Sequence, residues 1–538
     1  MMTRPMLLAM ACLLPSLLAA QTATVPSRLN VSPAVSTPAA PASSRAVATS
    51  RVATSLPASV PTSRASSDKQ VQYYVLLLNA KKVGYLVHKR QVEGEKVTTT
   101  EMLEITMSRS KTPVTITEKD ICVESSDGTP LSFQTFQSLG GATQQVEGTV
   151  EGGKIRLLLN SGTAQTRQEM PWPQGAMMPE GLRLLQLSKG LAEGTSYAVR
   201  SFLPSSLTAI DTQVTVGKKV DVDVLGQKIQ AWEIKDVSES IAGGLSMTSY
   251  VNDEMDILRS SMPMAGLKVE VVAATRAIAL ARPEVFEAFD SLAVASPSPL
   301  PITKETPSAT YVLQAEKDQK LSLVESDYQS VRYDEAAGVS TVTVRNAKPE
   351  GDYYLPYQEQ DAEALKAMGP SRYLQSDDET VRQLAEQAVG ETALASEAAA
   401  KLEAFVAQYI TKKDLSVGYA SAADVARGRE GDCTEHAVLL AAMCRAVGLP
   451  ARVSCGVVYV PTWQQKKDVF LPHAWVEAYI GKEWVCLDAA LHGFDVGHIA
   501  FCHGDGNPES FFGIINTLGN FKIVSASVEK TASSEPAQ

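Results

Sequence analysis

One cysteine in the C-terminal third lies where a helix start would activate a thiol. Cys433 stands in Gly431–His436, the segment GDCTEH, ahead of a long apolar run. Asp432 and Glu435 have capping-box spacing, which predicts a helix beginning at the cysteine. Free N–H groups and the helix dipole in a first turn lower a thiol pKa from about 8.5 toward neutrality. The pattern therefore predicts Cys433 as a nucleophile, whereas Cys444 fits a buried apolar residue inside the helix.

A base and its orienting carboxylate are predicted on a hairpin downstream. His473–Ile480 alternates like a strand, Gly481 and the lysine after it form a two-residue turn, and Glu483–Asp488 forms a second strand. If the turn closes the hairpin, Asp488 falls one diagonal from His473, and diagonal neighbours are about 7–8 Å apart. The carboxylate would then orient the imidazole. A one-residue slip in register would put them on opposite faces.

Three sequence blocks resemble those of a known superfamily. GDCTEHA, HAWVEAY and EWVCLDA, within about residues 375–505, are similar to the motif blocks of the bacterial transglutaminase-like superfamily, whose fold is related to papain-like proteases. The resemblance implies Cys433 as nucleophile, His473 as general base and acid, and Asp488 as its orienter, with no cofactor. The flanking β-sandwich domains and calcium sites of the animal crosslinking members have no counterpart in the blocks, so crosslinking activity does not carry over.

The implied chemistry is acyl transfer through a thioester. The Cys433 thiolate attacks an amide carbonyl, and His473 protonates the leaving amine. Water then completes hydrolysis, and an amine completes transamidation; we expect a slight preference for hydrolysis of a peptide, protein or cell-wall amide. The alternative is a non-enzymatic envelope protein whose β-rich domain binds a ligand and whose transglutaminase-like core is catalytically silent.

Other chemically capable residues in this region carry weaker predictions. His492, His498, Cys502 and His503 match no zinc spacing, so no metal site is predicted. His436 is expected to be a packed or surface residue rather than the base, since its side chain leaves the helix on another side from the thiol. A disulfide such as Cys444–Cys455 and free thiols stay as alternatives.

The elements that position these residues indicate an α+β protein. Period-two runs of β-branched residues upstream predict an antiparallel sheet with one helix near Pro179–Lys189, holding one histidine, His88, and one cysteine, Cys122. Closer to the site, helix starts are predicted at Ser376, from the pattern Ser-Asp-Asp-Glu, and at Ser421. Between them, a helix that buries one face is predicted from apolar residues at helical spacing: Leu402, Phe405, Val406, Tyr409 and Ile410.

The N-terminus is predicted to direct export. Arg4 precedes the apolar run Met6–Ala20, which ends in small residues and is typical of a secretory signal peptide; an uncleaved membrane anchor is the alternative. Residues 21–68 are rich in Ser, Thr, Ala and Pro and are predicted to be disordered. We therefore expect a periplasmic or secreted protein that meets a membrane only through an uncleaved signal peptide.

Composition limits the remaining function classes. The chain has 538 residues, with 49 Lys and Arg against 60 Asp and Glu and a formal net charge of -11, which argues against a nucleic-acid partner. Seven cysteines are too few for a disulfide scaffold. The predicted segments are a signal peptide (1–20), a linker (21–68), a β-rich domain (69–292), a connector with a small β unit (293–370), a transglutaminase-like catalytic domain (371–506) and a C-terminal strand and tail (507–538).

Overall fold

A computed structural model describes most of the chain after the predicted linker. It covers residues 69–109, 112–139, 142–161, 164–238, 245–264, 266–286, 292–315, 320–347, 349–413, 419–507, 517 and 520–529. The predicted signal peptide (1–20) and linker (21–68) lie outside these residues, as does the end of the predicted C-terminal tail.

A fourteen-stranded antiparallel sheet forms the first half of the described chain. Its order is β8-β7-β6-β5-β4-β3-β2-β1-β14-β13-β12-β11-β10-β9, so neighbouring strands follow each other along the chain except where β1 pairs with β14. The strands are β1 (Lys69–Leu78), β2 (Lys81–Glu93), β3 (Lys96–Arg109), β4 (Thr112–Ser125), β5 (Pro130–Leu139), β6 (Ala142–Glu151), β7 (Lys154–Ser161), β8 (Ala164–Pro171), β9 (Ser196–Leu203), β10 (Thr208–Val224), β11 (Gln227–Ser238), β12 (Leu245–Val251), β13 (Ile257–Met264) and β14 (Leu267–Ala274).

Burial alternates along these strands, as the period-two sequence pattern predicts. In β10 every second residue from Ile210 to Val216 is buried, because successive side chains point to opposite faces of a sheet. His88 and Cys122 are also buried here, and His88 Nδ1 lies 3.0 Å from Glu101 Oε1. The predicted helix appears with the expected bounds as α1 (Pro179–Lys189).

Two smaller antiparallel sheets follow. The site sheet has the order β15-β20-β19-β22, with β21 also paired to β20. It consists of β15 (Val294–Ala295), β19 (Ala451–Trp463), β20 (Lys466–Ile480), β21 (Glu483–Leu487) and β22 (His498–Gly504). The other has the order β17-β18-β16-β23 and consists of β16 (Ser308–Ala315), β17 (Gln329–Asp334), β18 (Val339–Arg345) and β23 (Phe521–Val528). This last sheet joins strands from two predicted segments, 293–370 and 507–538; the segment bounds stay predictions.

Six more helices complete the described part of the chain. They are α2 (Arg276–Ala279), α3 (Ala362–Lys366), α4 (Glu379–Val389), α5 (Ala395–Tyr409), α6 (Ala422–Gly428) and α7 (Cys433–Ala446). Within the described ranges, none of the helices has both the length and the apolar character needed to span a bilayer.

Helix α7 is the centre of the C-terminal core. All its residues from Cys433 to Arg445 are buried, and it packs against α4, α5, α6, β19 and β20. A helix that is apolar on most sides needs such enclosure. The buried guanidinium of Arg445 donates to the carbonyls of Ala451 and Gly369, each at 2.7 Å. The helix that carries the predicted nucleophile is therefore held on several sides.

Most predicted helix starts are confirmed, and one is wrong. The helix α6 begins after Ser421, whose side chain accepts from Asp424 N–H, and the helix predicted around Leu402 is α5. The start of α4 is not capped by Ser376. Asp378 caps it by accepting from two backbone N–H groups of the first turn, at 2.9 and 3.3 Å. The pattern Ser-Asp-Asp-Glu offers neighbouring cap candidates, and the carboxylate next to the helix took the position.

A short polar cluster joins the large sheet to the C-terminal domain, beside the apolar core that both regions share. The Arg372 guanidinium donates to the Ser205 carbonyl at 2.5 Å and to Gln144 Oε1 at 2.9 Å. The Tyr373 hydroxyl donates to the same Gln144 oxygen at 3.3 Å. Two adjacent residues ahead of α4 thus bind two separate parts of the sheet region. This cluster fixes the sheet beside the domain that holds the site.

Candidate active site

The first turn of α7 is capped as the sequence predicts. Asp432 is the N-cap residue, with its carboxylate accepting from Thr434 N–H at 3.0 Å, and Glu435 accepts from Asp432 N–H at 2.9 Å. The second Glu435 oxygen accepts from Ala420 N–H at 3.0 Å. The cap thus places Cys433 at the first helical position, where the positive end of the helix dipole favours an anion.

Gly431 makes this tight helix entry sterically feasible. Its φ is +144°, and a Cβ at this position would lie 2.3 Å from the Cβ of Glu435. The positive φ and the short Cβ distance both exclude any residue other than glycine here, unless the Glu435 side chain of the capping box moves. The glycine ahead of the cysteine is therefore part of what positions the thiol.

The hairpin β20–β21 has the predicted register. Ile480 pairs with Glu483 and Val476 with Leu487, around a turn in which Gly481 has a φ of +64°. Asp488 follows directly after β21, level with Trp475 of β20. The register confirms the geometric basis of the prediction that Asp488 lies beside His473.

The imidazole and the carboxylate form a buried hydrogen bond. His473 Nε2 lies 2.7 Å from Asp488 Oδ2, and both side chains are about 1% exposed or less. The other carboxylate oxygen, Oδ1, accepts from the N–H groups of Ala490 and Leu491 at 2.9 and 3.0 Å. Burial alone would raise the pKa of Asp488, but the two imidazoles at its Oδ2 hold that pKa well below its usual range. The carboxylate is therefore ionised and fixed at both oxygens.

Helix α7, which carries Cys433, packs against β20, which carries His473. Burial lowers the pKa of His473, but the Asp488 carboxylate and the neighbouring Cys433 outweigh it and raise that pKa to about 10. The ring is thus protonated at neutral pH. An imidazolium next to a thiol favours the thiolate.

The structure adds a second histidine to this group. His498 Nε2 lies 3.0 Å from Asp488 Oδ2, and its Nδ1 lies 2.8 Å from the carbonyl of Asp495. In the sequence, His498 stands out only as one of four neighbouring residues with metal-binding side chains. The position of His498 depends on the pairing of β22 with β19. The two strands approach closely at Gly456, where an added Cβ would lie 1.9 Å from Ile499 O. A glycine inside a strand indicates such a close approach of another backbone.

Asp488 and the two histidines around it also have the residue types that bind metals. Ligand atoms of His473, Asp488 and His498 all lie within 4.8 Å of one another. Their nitrogen–oxygen distances of 2.7 and 3.0 Å are those of direct hydrogen bonds. A cation bound at about 2.0–2.1 Å to both ring nitrogens and to the Asp488 oxygen would have to push these atoms further apart. The observed arrangement is that of a hydrogen-bonded group of two imidazoles around one carboxylate.

Other candidate residues lie around this group with different roles. His436 is buried on α7, with Nδ1 2.6 Å from Asp432 O, and burial lowers its pKa to about 4, so the ring is neutral and packed as predicted. Glu403 of α5 accepts from Asp488 N–H at 2.6 Å. Trp475 packs against the rings of His473 and His498, with centroids 6.0 and 5.1 Å away.

The cysteines that the structure describes are all free thiols, including Cys444 and Cys455, so the disulfide alternative is wrong for this structure. Both lie in the core around α7. His492 and His503 stay outside the hydrogen-bonded group.

Comparison with known protein families decides what this domain is. The model of the transglutaminase-like superfamily matches residues 382–489, from α4 to the residue after Asp488. The C-terminal part of the chain carries a transglutaminase-like domain. The match contains Cys433, His473 and Asp488, and the predicted fold class is confirmed: a transglutaminase-like domain preceded by an antiparallel β-rich region.

Solved structures with some similarity cover different parts of the chain. A candidate cysteine protease from Cytophaga hutchinsonii is 18% identical over 43% of this chain and 91% of its own, with a TM-score of 0.26. A β-barrel-like protein with a domain of unknown function from Brucella abortus is 14% identical over 38% and 95%, with a TM-score of 0.29. A candidate protease from Parabacteroides distasonis is 12% identical over 67% and 68%, with a TM-score of 0.19.

At these TM-scores the three structures carry no argument about the reaction. Nothing among the curated proteins matches the chain. The assignment of the transglutaminase-like domain rests on the family match and on the residues inside it.

Proposed function

We propose that the chain is a thiol enzyme that breaks an amide bond through a thioester at Cys433. The observation that supports this is the buried hydrogen bond from Asp488 to His473, with Cys433 near enough to raise the pKa of that histidine and placed in the first turn of a long buried helix. A nucleophile, a base in reach of it and a third group that orients the base are the requirements for activated nucleophilic catalysis.

Each residue has a defined step in this chemistry. The Cys433 thiolate attacks the amide carbonyl, and the N-terminus of α7 stabilises the negative charge that develops on the carbonyl oxygen. The tetrahedral intermediate collapses to a thioester when the carbon–nitrogen bond breaks and the His473 imidazolium gives its proton to the leaving amine. Neutral His473 then takes a proton from water, whose oxygen attacks the thioester; the carbon–sulfur bond breaks, and a carboxylic acid is released with the Cys433 thiolate and the His473 imidazolium restored.

Hydrolysis is the first form of this proposal, and transamidation differs only in the second step. An amine that replaces water would give a new amide with the same balance of protons. We propose a peptide, protein or cell-wall amide as the substrate, in the periplasm or outside the cell. The signal-like N-terminal sequence supports the location, and an anionic protein with no basic surplus fits a partner other than nucleic acid.

Burial of the site requires an opening step before substrate can bind. Cys433 is 0% exposed and His473 is 1% exposed. A closed site strengthens the ion pair because water is excluded from it. The reaction therefore needs a conformational step that brings the amide to the thiol, as in enzymes with gated sites.

A cavity in the β-rich region favours a second candidate function, ligand binding by a protein with a silent core. The cavity has a volume of about 460 Å³ and lies on strands β3 to β7. Five residues of its wall form one row in the sheet register: Met102, Lys119, Phe136, Gln145 and Asn160. Such a volume suits a small ligand or one residue of a polymer. This second function predicts that a ligand binds in the cavity on β3 to β7 while the Cys433 thiol has no raised reactivity.

The pH profile of Cys433 alkylation tests the enzyme proposal. Because Cys433 is buried, alkylation requires the site to open, and this lowers the alkylation rate by the same factor at every pH. The slope of the rate against pH therefore reports the ionisation of the thiol. A free thiol with a pKa of about 8.5 loses about tenfold in rate for each pH unit below that pKa. We expect Cys433 to change by less than about twofold between pH 6 and pH 8, and His473→Ala to restore the steep slope.

Cys444 supplies an internal control in the same experiment. It is buried on the same helix, and burial raises its pKa, so site-resolved mass spectrometry should give it a steep profile. Incubation with pools of peptides, proteins and wall fragments should then capture a thioester on Cys433 that Cys433→Ser cannot form. A steep Cys433 profile in the wild-type protein would overturn the enzyme proposal and leave the binding candidate.

A further inference from the structure

The hydrogen bonds of His498 determine its protonation state. Nε2 faces the Asp488 carboxylate at 3.0 Å, and Nδ1 faces the Asp495 carbonyl at 2.8 Å and the Asp495 carboxylate at 3.4 Å. All of these partners are acceptors. A neutral imidazole has one donor and one acceptor nitrogen, so only the imidazolium satisfies both sides. The side chain is fully buried, which makes an unmatched nitrogen costly.

The charged neighbours of His498 come from several elements. Two carboxylates flank it directly, Asp488 after β21 and Asp495 ahead of β22. Around them lie the other titratable groups that interact with this centre: His473 on β20, Cys433 and His436 on α7, Glu403 on α5, and Lys304, Lys413 and His492 on the loops nearby. Burial lowers the pKa of His498, but the two carboxylates outweigh this and raise it above its ordinary value.

Asp488 Oδ2 therefore holds two imidazole rings at once. The rings of His473 and His498 have centroids 5.3 Å apart, close enough for one positive charge to act strongly on the other. A second cation on the same oxygen reduces the attraction between Asp488 and the His473 imidazolium. That reduction matters because His473 has to release its proton to the leaving amine in each turnover.

We propose that His498 is a positioning residue of the site, an imidazolium that fixes the Asp488 carboxylate and limits how tightly His473 holds its proton. This inference rests on the proposed function, because the proton of His473 matters only if Cys433 is used as a nucleophile. His498 acts through Asp488 and need not touch the substrate. It extends the site from three residues to four.

The ring nitrogens can be observed directly in the wild-type protein. The chain has six histidines, and ¹⁵N chemical shifts distinguish a neutral imidazole from an imidazolium. We expect His498 to carry protons on both nitrogens at pH 7, with its signal assigned by its loss in His498→Gln. A neutral His498 ring at pH 7 would overturn the inference, and this measurement needs no variant to be active.

The His498→Gln variant separates the charge of His498 from its hydrogen bond. Glutamine retains an N–H for Asp488 and removes the positive charge. We expect the titration midpoint of His473, near pH 10 in the wild-type protein, to move up by roughly one to two pH units.

His503→Gln is the matched control, since it makes the same change on the same strand outside the hydrogen-bonded group. It should leave the His473 midpoint in place. A His498→Gln midpoint equal to or below that of the wild-type protein would overturn the inference while a flat Cys433 profile still supported the enzyme. A steep wild-type Cys433 profile would overturn both. Circular dichroism at pH 10 checks that each protein stays folded.

Discussion

At the scale of single residues, Asp488 is the best-bound group in the site. Its Oδ1 accepts from two backbone N–H groups and its Oδ2 binds two imidazoles. A carboxylate with this many donors stays ionised and cannot rotate without breaking several bonds. The orientation of His473 is thus determined by the backbone at residues 490–491 as much as by the carboxylate itself.

The substitution Asp488→Asn should inactivate the thiol. The asparagine side chain offers one acceptor oxygen where two ring N–H groups and two backbone N–H groups need partners, so the favoured tautomer of His473 changes. We expect alkylation of Cys433 at pH 6 to fall by about 100-fold, because the thiol then titrates near its ordinary pKa. The exposed substitution Asp377→Asn is the control and should have no effect. An unchanged rate in D488N would show that Asp488 does not activate the pair.

The pKa of His473 also predicts how stability depends on pH. The folded protein raises that pKa from 6.5 to about 10, so the stability it contributes is fully present below about pH 6.5 and is lost as pH rises through 10. The loss should be on the order of a few kcal/mol. Urea unfolding at several pH values between 6 and 9.5 measures it, and D488N should flatten the decline. Parallel slopes in the two proteins would contradict the assignment.

At the scale of elements, α7 and the hairpin β20–β21 position the site by local means. The capping box, the glycine entry and the two-residue turn all act within a few residues of the side chains they place. This locality explains why Cys433, His473 and Asp488 could be placed from the sequence. His498 could not, because β22 reaches the site through a strand that lies about 45 residues earlier in the chain, and long-range pairing leaves little trace in local pattern.

The helix start at Ser376 failed for a related reason. Two aspartates follow the serine, and Ser and Asp are both good N-cap residues, so the sequence defines the neighbourhood of the helix start but not the capping residue. In the structure Asp378 makes the cap and also binds Arg427 of α6 at 2.7 Å. A contact between two helices thus favours one candidate over another of similar intrinsic preference.

Gly431→Ala tests the entry to α7. The new Cβ would collide with Glu435 at a φ that alanine rarely adopts, so we expect a loss of about 2–4 kcal/mol and a less reactive Cys433. Gly428→Ala on α6 is the control, since its added Cβ meets only Glu430 Cγ at 3.6 Å and its φ is ordinary. Thermal unfolding and the alkylation rate measure the two effects. Equal melting temperatures for the two variants would contradict the steric argument.

At the scale of the whole molecule, three antiparallel sheets and a helical core form one continuous structure. The apolar core extends from β1 through α7 to β23 in the described residues. The sheet that contains β16 and β23 pairs a strand ahead of the transglutaminase-like domain with a strand after it. The candidate site residues therefore lie in a domain whose preceding and following segments are joined in one sheet.

Arg372→Ala tests the link between the large sheet and the transglutaminase-like domain. The change removes the donors to Ser205 and Gln144, and we expect the urea transition to broaden or to separate into two steps, because polar contacts that couple the two regions beside their shared apolar core are lost. Arg382→Ala, an exposed change on α4, is the control. Fluorescence and circular dichroism should then give different midpoints for the Arg372 variant. Coincident midpoints equal to those of the control would show that the cluster contributes nothing to coupling.

The pairing of β1 with β14 has a consequence for the timing of synthesis. Tyr73 pairs with Ala274, about 200 residues later in the chain, while every other strand pair of this sheet is between neighbours in sequence. During synthesis β1 has its hairpin partner early, but its second edge stays unpaired until residue 274 has emerged. An unpaired strand edge can bind a strand of another chain. The central seam of the finished sheet is therefore the last edge to close, and any pause before residue 274 prolongs its exposure.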